Sequence, residues 1–323
     1  MSIIDAYCHV GRPRFGTAAD AFAANRTNGV DKLVLVLGPY VPDYAELVTA
    51  IRAFGTDVRC VGIPFGKTVE RQTEIAELQV RAGLFAIRLS GQEFLAQPHA
   101  ANVFGEAGRW IYSNGIVGSS KAAAGLLDWL ERYPDSCVAA PHFLRPVCTD
   151  LHGPLLDLLA HPRFFPIFSR HGGMGSRETY PHGDLRPWVE AITERAGWER
   201  VMYGSEYPVI HWRNEALPDC LAWLEAVTGA DGANVSRFLG GNAERHIFSA
   251  PPPPSDPVEF PSWVTAEFDR TRRIPLFENG QLDIAMDTFD AIHPGYVAAL
   301  QKDPSLRFAE YVESLLAQDR TRP

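Results

Sequence analysis

Eight short runs of apolar and β-branched residues recur along the chain, and each is followed by a longer stretch with helical patterning. The runs are IIDAYCH (3–9), KLVLVL (32–37), RCVGIP (59–64), FAIRLS (85–90), GIVGSS (115–120), CVAAPH (137–142), FFPIFS (164–169) and RVMYGS (200–205). Between them lie stretches such as AELVTAIRAFG, VERQTEIAELQVRAG and KAAAGLLDWLERYPD, which read as helices. Strands that alternate with helices join by right-handed crossovers into a parallel sheet. Eight such units in roughly 250 residues are the count and size of a (β/α)8 TIM barrel. A doubly wound open sheet is the rival reading. It more often carries a glycine fingerprint after the first strand, and CHVGRPRFG is not one.

A barrel places its chemistry at the C-terminal ends of its strands. Those ends bring together Tyr7 and His9, Arg88, Ser119, His142, Arg170 with His171, and Glu206. Side chains alternate along a strand, so Tyr7 and His9 share the interior face and Cys8 points away from it. His9 leads as a catalytic residue, with a hydrogen-bonded core histidine as the plainer alternative. His142, closing the run CVAAPH, reads the same way. Glu206 in YGSEYP needs a partner if buried, and His9 or Arg88 can supply one. Catalysis and structural ion pairing are both open for it. Arg88 or Arg170 alone reads as a rim salt bridge. Two guanidinium forks at one barrel end can grip a carboxylate or phosphate. The glycine-rich stretch SRHGGMGSRETYPHGD (169–184) reads as an active-site loop carrying His171. His211 follows the eighth strand near the mouth with its role open. His99, His152, His161, His246 and His293 read as surface or packing residues.

The alternation stops after GNAERHIF. The barrel reading therefore covers residues 1–248, a stiff proline-rich linker covers 249–257 (SAPPPPSDP), and a helical extension covers 258–323. The extension carries Trp263, Phe268, Phe277, Phe289, Tyr296, Phe308 and Tyr311. About 65 residues cannot easily bury those faces alone. They lie either on the barrel or on a second subunit, and a reaching arm favours a homodimer with the extension at the interface.

Bulk charge narrows the partners. A formal net charge of −9 leaves nothing to attract nucleic acid or an anionic membrane. No apolar run is long enough to span a bilayer, and no signal peptide pattern opens the chain. Five scattered cysteines without a C-x-x-C pair fit a reduced, cytoplasmic protein.

Four separated motifs give the chain a resemblance. The first strand reads DAYCHVG where the amidohydrolase superfamily has D-x-H-x-H-x-G. The sixth ends in the histidine of CVAAPHF, the eighth reads YGSEYP for a G-S-D-Y-P-like run, and the closing helix reads GNAERHIF for G-N-A-x-R-x-F. Over residues 3–248 the chain resembles the amidohydrolase-related branch (amidohydrolase 2), which holds metal-dependent hydrolases, decarboxylases of aromatic and related acids, and lactonases. The resemblance implies a metal held by two first-strand histidines, a fifth-strand histidine and an eighth-strand aspartate. At those positions this chain has Tyr7, His9, Ser119 and Glu206. A phenol is a ligand only as its phenolate, and serine is a poor ligand for zinc. The expectation is therefore a divergent member with a degenerate metal site and no cofactor. If the site is rebuilt, one Zn or Mn ion would sit on His9, His142 and Glu206. The implied function is a hydrolase acting on an amide, lactone or related bond of a small acidic molecule. In that reading His9, His142, Glu206 and Tyr7 are catalytic, and Arg88, Arg170, His171 and Ser119 bind substrate. The alternatives are a metal-dependent non-oxidative decarboxylase and a non-catalytic ligand-binding or scaffolding barrel.

Overall fold

Eight parallel strands lie side by side in the order in which they occur in the chain. They are β1 (Ile3–Val10), β2 (Val30–Leu37), β3 (Val58–Gly62), β4 (Ala86–Ser90), β5 (Trp110–Asn114), β6 (Val138–Ala140), β7 (Phe164–Phe168) and β8 (Met202–Tyr203). The computed structural model describes residues 2–117, 119–144, 151, 153–169, 176–213, 215–275, 283–300, 302–303 and 306–320. The barrel closes just beyond β8, where the Glu206 amide donates to the Tyr7 carbonyl at 2.8 Å and the His9 amide to the Tyr207 carbonyl at 2.7 Å. The (β/α)8 barrel expected from the alternation is therefore present, with extra helices at its C-terminal end.

Two apolar layers follow from strand periodicity. Cys8, Leu35, Ile87 and Ile111 face outward and pack under the surrounding helices. Ile4, Val34, Val36, Ala86, Trp110 and Phe165 fill the barrel interior. The segment GNAERHIF plugs the bottom with Ala243, Ile247 and Phe248. Its Asn242 amide group donates to the carbonyls of Trp198 and Val201 and so ties the plug to the start of β8.

One strand differs from the expected placement. GIVGSS is not the fifth strand; WIYSN is. In register with β4, Arg88 pairs with Tyr112 and Ser90 with Asn114. Ser119 instead caps the helix Ser120–Arg132, its hydroxyl accepting the Ala122 amide at 3.2 Å. Serine is favoured at that capping position because its oxygen satisfies an otherwise unpaired amide.

The proline-rich segment does not swing away. It runs along its own barrel beside α2 (Tyr44–Phe54) and α3 (Val69–Arg81). The Arg59 guanidinium donates to the Ala250 carbonyl, and the Asp256 amide to the Arg81 carbonyl. Phe260 then stacks on Tyr44 at 4.7 Å, and Trp263 lies parallel to Phe65 at 6.3 Å. The chain is thereby carried from the bottom plug to the mouth. Beyond it come the helix Ser262–Glu267, a short antiparallel pair Arg273–Pro275 with Asp283–Ala285, and the helices Met286–Leu300 and Phe308–Arg320.

Met286, Tyr296, Phe308 and Val312 of the extension pack with Phe15, Val41 and Val209 of the barrel loops. Of the aromatic residues expected to need cover, Phe268, Tyr296, Phe308 and Tyr311 find it on the chain's own mouth and Trp263 against Phe65; Phe277 and the Phe289 side chain lie outside what is described. Among those residues no helix is long and apolar enough to cross a membrane.

Candidate active site

The site begins with an irregularity in β1. Ala6 and Tyr7 both face the interior, while Cys8 faces outward and His9 inward. The pairing with β2 shifts between Asp5 and Cys8, and such a bulge resets which side chains face inward. Asp5 holds the bulge. Its carboxylate accepts the Tyr7 amide and the Ser205 amide, each at 3.0 Å, and the Ser205 hydroxyl. Burial raises the Asp5 pKa to about 6 despite these three bonds. The acid in DAYCHVG is thus a pin between β1 and the segment carrying Glu206.

Three of the expected catalytic groups converge. Glu206 Oε1 lies 3.6 Å from His142 Nε2 and 4.0 Å from His9 Nε2, with all three residues buried. Glu206 and His142 both have left-handed backbones, at φ 60° and 61°. Non-glycine residues adopt that conformation at a cost, and such strain gathers at functional sites.

The tautomer of His9 follows from its neighbour. Its Nδ1 lies 3.0 Å from the Val36 carbonyl, which only accepts, so Nδ1 carries the proton and Nε2 presents a lone pair towards Glu206. Burial lowers the His9 pKa to about 3, with the Arg88 charge acting the same way and Glu206 opposing, so the ring is neutral in the fold. His142 is held by Ser169. The Ser169 oxygen accepts the His142 amide at 3.0 Å and lies 3.1 Å from its Nδ1.

Close to this triangle lies Arg88, 8% exposed. Its hydrogen bond among the described residues runs from Nε to the Tyr7 hydroxyl at 3.0 Å. Burial pulls the guanidinium pKa down, but the nearby Tyr7, Glu93 and Glu206 outweigh it and raise it overall. The Tyr7 ring stands edge-on to His9 at 4.9 Å and to His142 at 5.0 Å, and stacks on Tyr112 at 6.3 Å. Phe15 lies flat on the His9 ring at 4.7 Å.

Of the residues named from sequence, Tyr7, His9, Arg88, His142 and Glu206 come together. Ser119 is spent on a helix cap. Arg170 and His171 lie outside the described residues. Sequence reasoning missed Ser169, Phe15, Tyr112 and the pinning role of Asp5. Ser169 was within reach as the last residue of FFPIFS; Phe15 and Tyr112 carry no such local signal.

The family's metal arrangement does not fit these donors. Tyr7 presents a hydroxyl engaged by a guanidinium, which places a positive charge where a cation's ligand should be. Ser119 lies beyond β5, as the cap of the following helix, and so is not a fifth-strand donor at all. Among the described residues no three His, Cys, Asp or Glu side chains form a group that could hold a metal ion.

The amidohydrolase family model matches residues 10–247, beginning one residue past His9. An L-fucono-1,5-lactonase from Burkholderia ambifaria is 28% identical over 131 residues, or 38% of this chain and 42% of that protein. This chain therefore aligns with less than half the length of that curated relative. Among solved structures, a proposed 2-pyrone-4,6-dicarboxylic acid hydrolase from Acinetobacter baumannii with citric acid bound is 17% identical. It has a TM-score of 0.60 and covers 77% of this chain and 100% of that one. A dihydroxybenzoic acid decarboxylase from Polaromonas sp., with manganese and an inhibitor bound, is 11% identical. Its TM-score is 0.52, with 77% of this chain and 97% of that chain covered. At these identities the likeness is one of fold.

Proposed function

We propose that this chain, which belongs to the amidohydrolase family, is a hydrolase that opens a lactone or related ester or amide bond in a small acidic molecule using its own side chains. The observation that carries this reading is the Glu206 carboxylate set between two imidazole nitrogens, close to a buried guanidinium that has a single hydrogen bond among the described residues. The partial match to a lactonase supports the choice of a lactone.

The 4.0 Å gap between His9 Nε2 and Glu206 Oε1 is too long for a direct hydrogen bond and suits a bridging water. Such a water donates to both acceptors and turns a lone pair towards the substrate. As its oxygen bonds to the carbonyl carbon, its proton passes to Glu206, with His142 alongside to share it. The carbonyl oxygen takes up the electron pair and is stabilised by the Arg88 guanidinium and the Tyr7 hydroxyl. Collapse breaks the bond to the leaving oxygen, which recovers the proton from Glu206. Ser169 keeps His142 in place throughout. Arg170 and His171 belong to the same proposal as contacts to the substrate's acid group.

No step here passes through a metal. The test is a panel of small acidic lactones, esters and amides, assayed for acid release with the metal content of the same sample measured. Hydrolysis without stoichiometric metal, abolished in Glu206→Gln, supports the reading. Release of carbon dioxide from an aromatic acid with one bound Zn or Mn would establish the decarboxylase instead. Ligand binding without turnover would establish a binding barrel.

We also propose that the protein is a cytoplasmic homodimer. Since the apolar face of the extension is covered in its own chain, the contact would use its outer side. Light scattering at a monomeric mass would end that proposal.

A further inference from the structure

Phe15 lies where three parts of the molecule meet. Its ring is parallel to His9, at 4.7 Å and 12° between planes. The Arg14 guanidinium carbon lies 4.7 Å from the same ring. The residue is 3% exposed and belongs to the cluster formed with Met286, Tyr296, Phe308 and Val312 of the extension.

Its seat is built into the backbone. The loop leaves β1 through Gly11 at φ 112° and returns through Gly16 at φ 77°, with the Phe15 amide donating to the Gly11 carbonyl at 2.9 Å. Both angles favour glycine. Just past β2, Gly38 leaves the space that the Phe15 ring fills; a methyl group there would collide with the ring. An aromatic side chain is therefore fitted flat against one face of His9, in a direction that the in-plane hydrogen bond does not restrain. The bond from Nδ1 to the Val36 carbonyl fixes one point of the imidazole, and the Tyr7 ring meets it edge-on at 4.9 Å. A flat ring stacked on it restrains the tilt of its plane.

We propose that Phe15 is a positioning residue, held down by the C-terminal extension, that fixes the plane of His9 and so keeps Nε2 directed at Glu206. The same contact joins the loop at residues 11–17 to the extension. The catalytic consequence rests on the reading of His9 and Glu206 given above; the positioning itself does not.

The test uses the full-length protein labelled at histidine and followed by NMR. Parent, Phe15→Leu and Phe15→Tyr are compared, with Phe308→Leu as the variant in the extension. In the parent the stacked ring shields the His9 carbon-bound protons. Phe15→Leu is expected to move those resonances downfield and Phe15→Tyr to restore them. Phe308→Leu should move them the same way by less, which also serves if Phe15→Leu does not fold. On a hydrolysed lactone, Phe15→Leu is expected to lower kcat roughly tenfold and to change KM less than threefold, because it misaligns a reacting group without removing a substrate contact. His9 resonances that stay in place in both Leu variants overturn the proposal. Resonances that move in a protein that hydrolyses nothing uphold the positioning and refute the hydrolase reading.

Discussion

Two pairs of histidines face each other in this molecule. His9 and His142 flank Glu206 inside the barrel mouth. His211, in the turn Val209–Arg213 just beyond β8, faces His293 of the extension, with Nδ1 and Nε2 3.4 Å apart and the rings stacked at 5.7 Å. Burial lowers His211 to about 3 and His293 to about 4, much as it lowers His9 to about 3. Basicity therefore does not separate His9 from the second pair. Their surroundings do. The first pair encloses a carboxylate close to a guanidinium, on a strained backbone. The second is walled by Tyr207, Tyr296 and Phe308, with the Asp20 charge acting on His293 from farther out and burial outweighing it. Burial alone neutralises a histidine; chemistry also needs an anion and a cation placed beside it.

The largest expected difference lies in turnover. Glu206→Gln keeps the shape of the first cluster and removes its proton acceptor, so kcat should fall roughly 10²–10⁴-fold. Replacing His211 and His293 with Phe should leave kcat within a fewfold. If both changes cost the same under a steady-state assay, the contrast between the pairs is wrong.

Next comes affinity for the carboxylate that hydrolysis forms from the attacked carbonyl, the group that Arg88 faces. Arg88→Met removes a buried fork, and a lost charged hydrogen bond costs about 1.5–3 kcal/mol. That is roughly a 10–100-fold weaker dissociation constant by titration calorimetry with the acid product. An unchanged constant would move the acid-binding role elsewhere in the mouth.

The third difference is in stability against pH. The unfolded histidines take up protons below about pH 6.5, whereas the buried pair at the seam stays neutral until about pH 4 and about pH 3. The stability from that pair is thus fully present above pH 6.5 and is lost as the pH falls through that window. With both residues changed to Phe, unfolding free energy should fall less steeply between pH 6.5 and 4, by up to about 1.4 kcal/mol per pH unit for each histidine. Asp5 runs with the opposite sign. Its folded pKa of about 6 means that its charge costs stability above pH 6 and that this cost is relieved as the pH falls. Denaturant melts across this range that stay parallel for the two proteins would sink the assignment.

The smallest effect belongs to the surface. Arg12 and Asp290 approach to 3.7 Å between the mouth loop and the extension, with the arginine side chain 58% exposed. Arg12→Ala should cost less than about 1 kcal/mol, read as a small drop in melting temperature. A larger drop would mean that charge, rather than the apolar cluster, holds the extension down.

Much of this was legible in the chain. The eight β-rich runs and the helical stretches between them imply the barrel, because period-2 and period-3.6 patterns are local properties. Strand ends then point to Tyr7, His9, Arg88, His142 and Glu206. The fifth strand shows the limit. WIYSN and GIVGSS adjoin, at 110–114 and 115–120, and both look extended. Pairing with β4 chooses the first, and the helix beginning at Ser120 claims the second.

By itself, the sequence determined the fold class and the set of polar groups at the barrel mouth, since each depends on neighbours a few residues away. Tertiary structure alone decided that Asp5 bonds Ser205 across 200 positions, that Phe15 covers His9, that Ser169 holds His142, and that the extension covers its own mouth. Those contacts join side chains whose spacing in the chain carries no period. They form only once the barrel has closed and the strap along α2 and α3 has carried the extension to the same end as the strand tips.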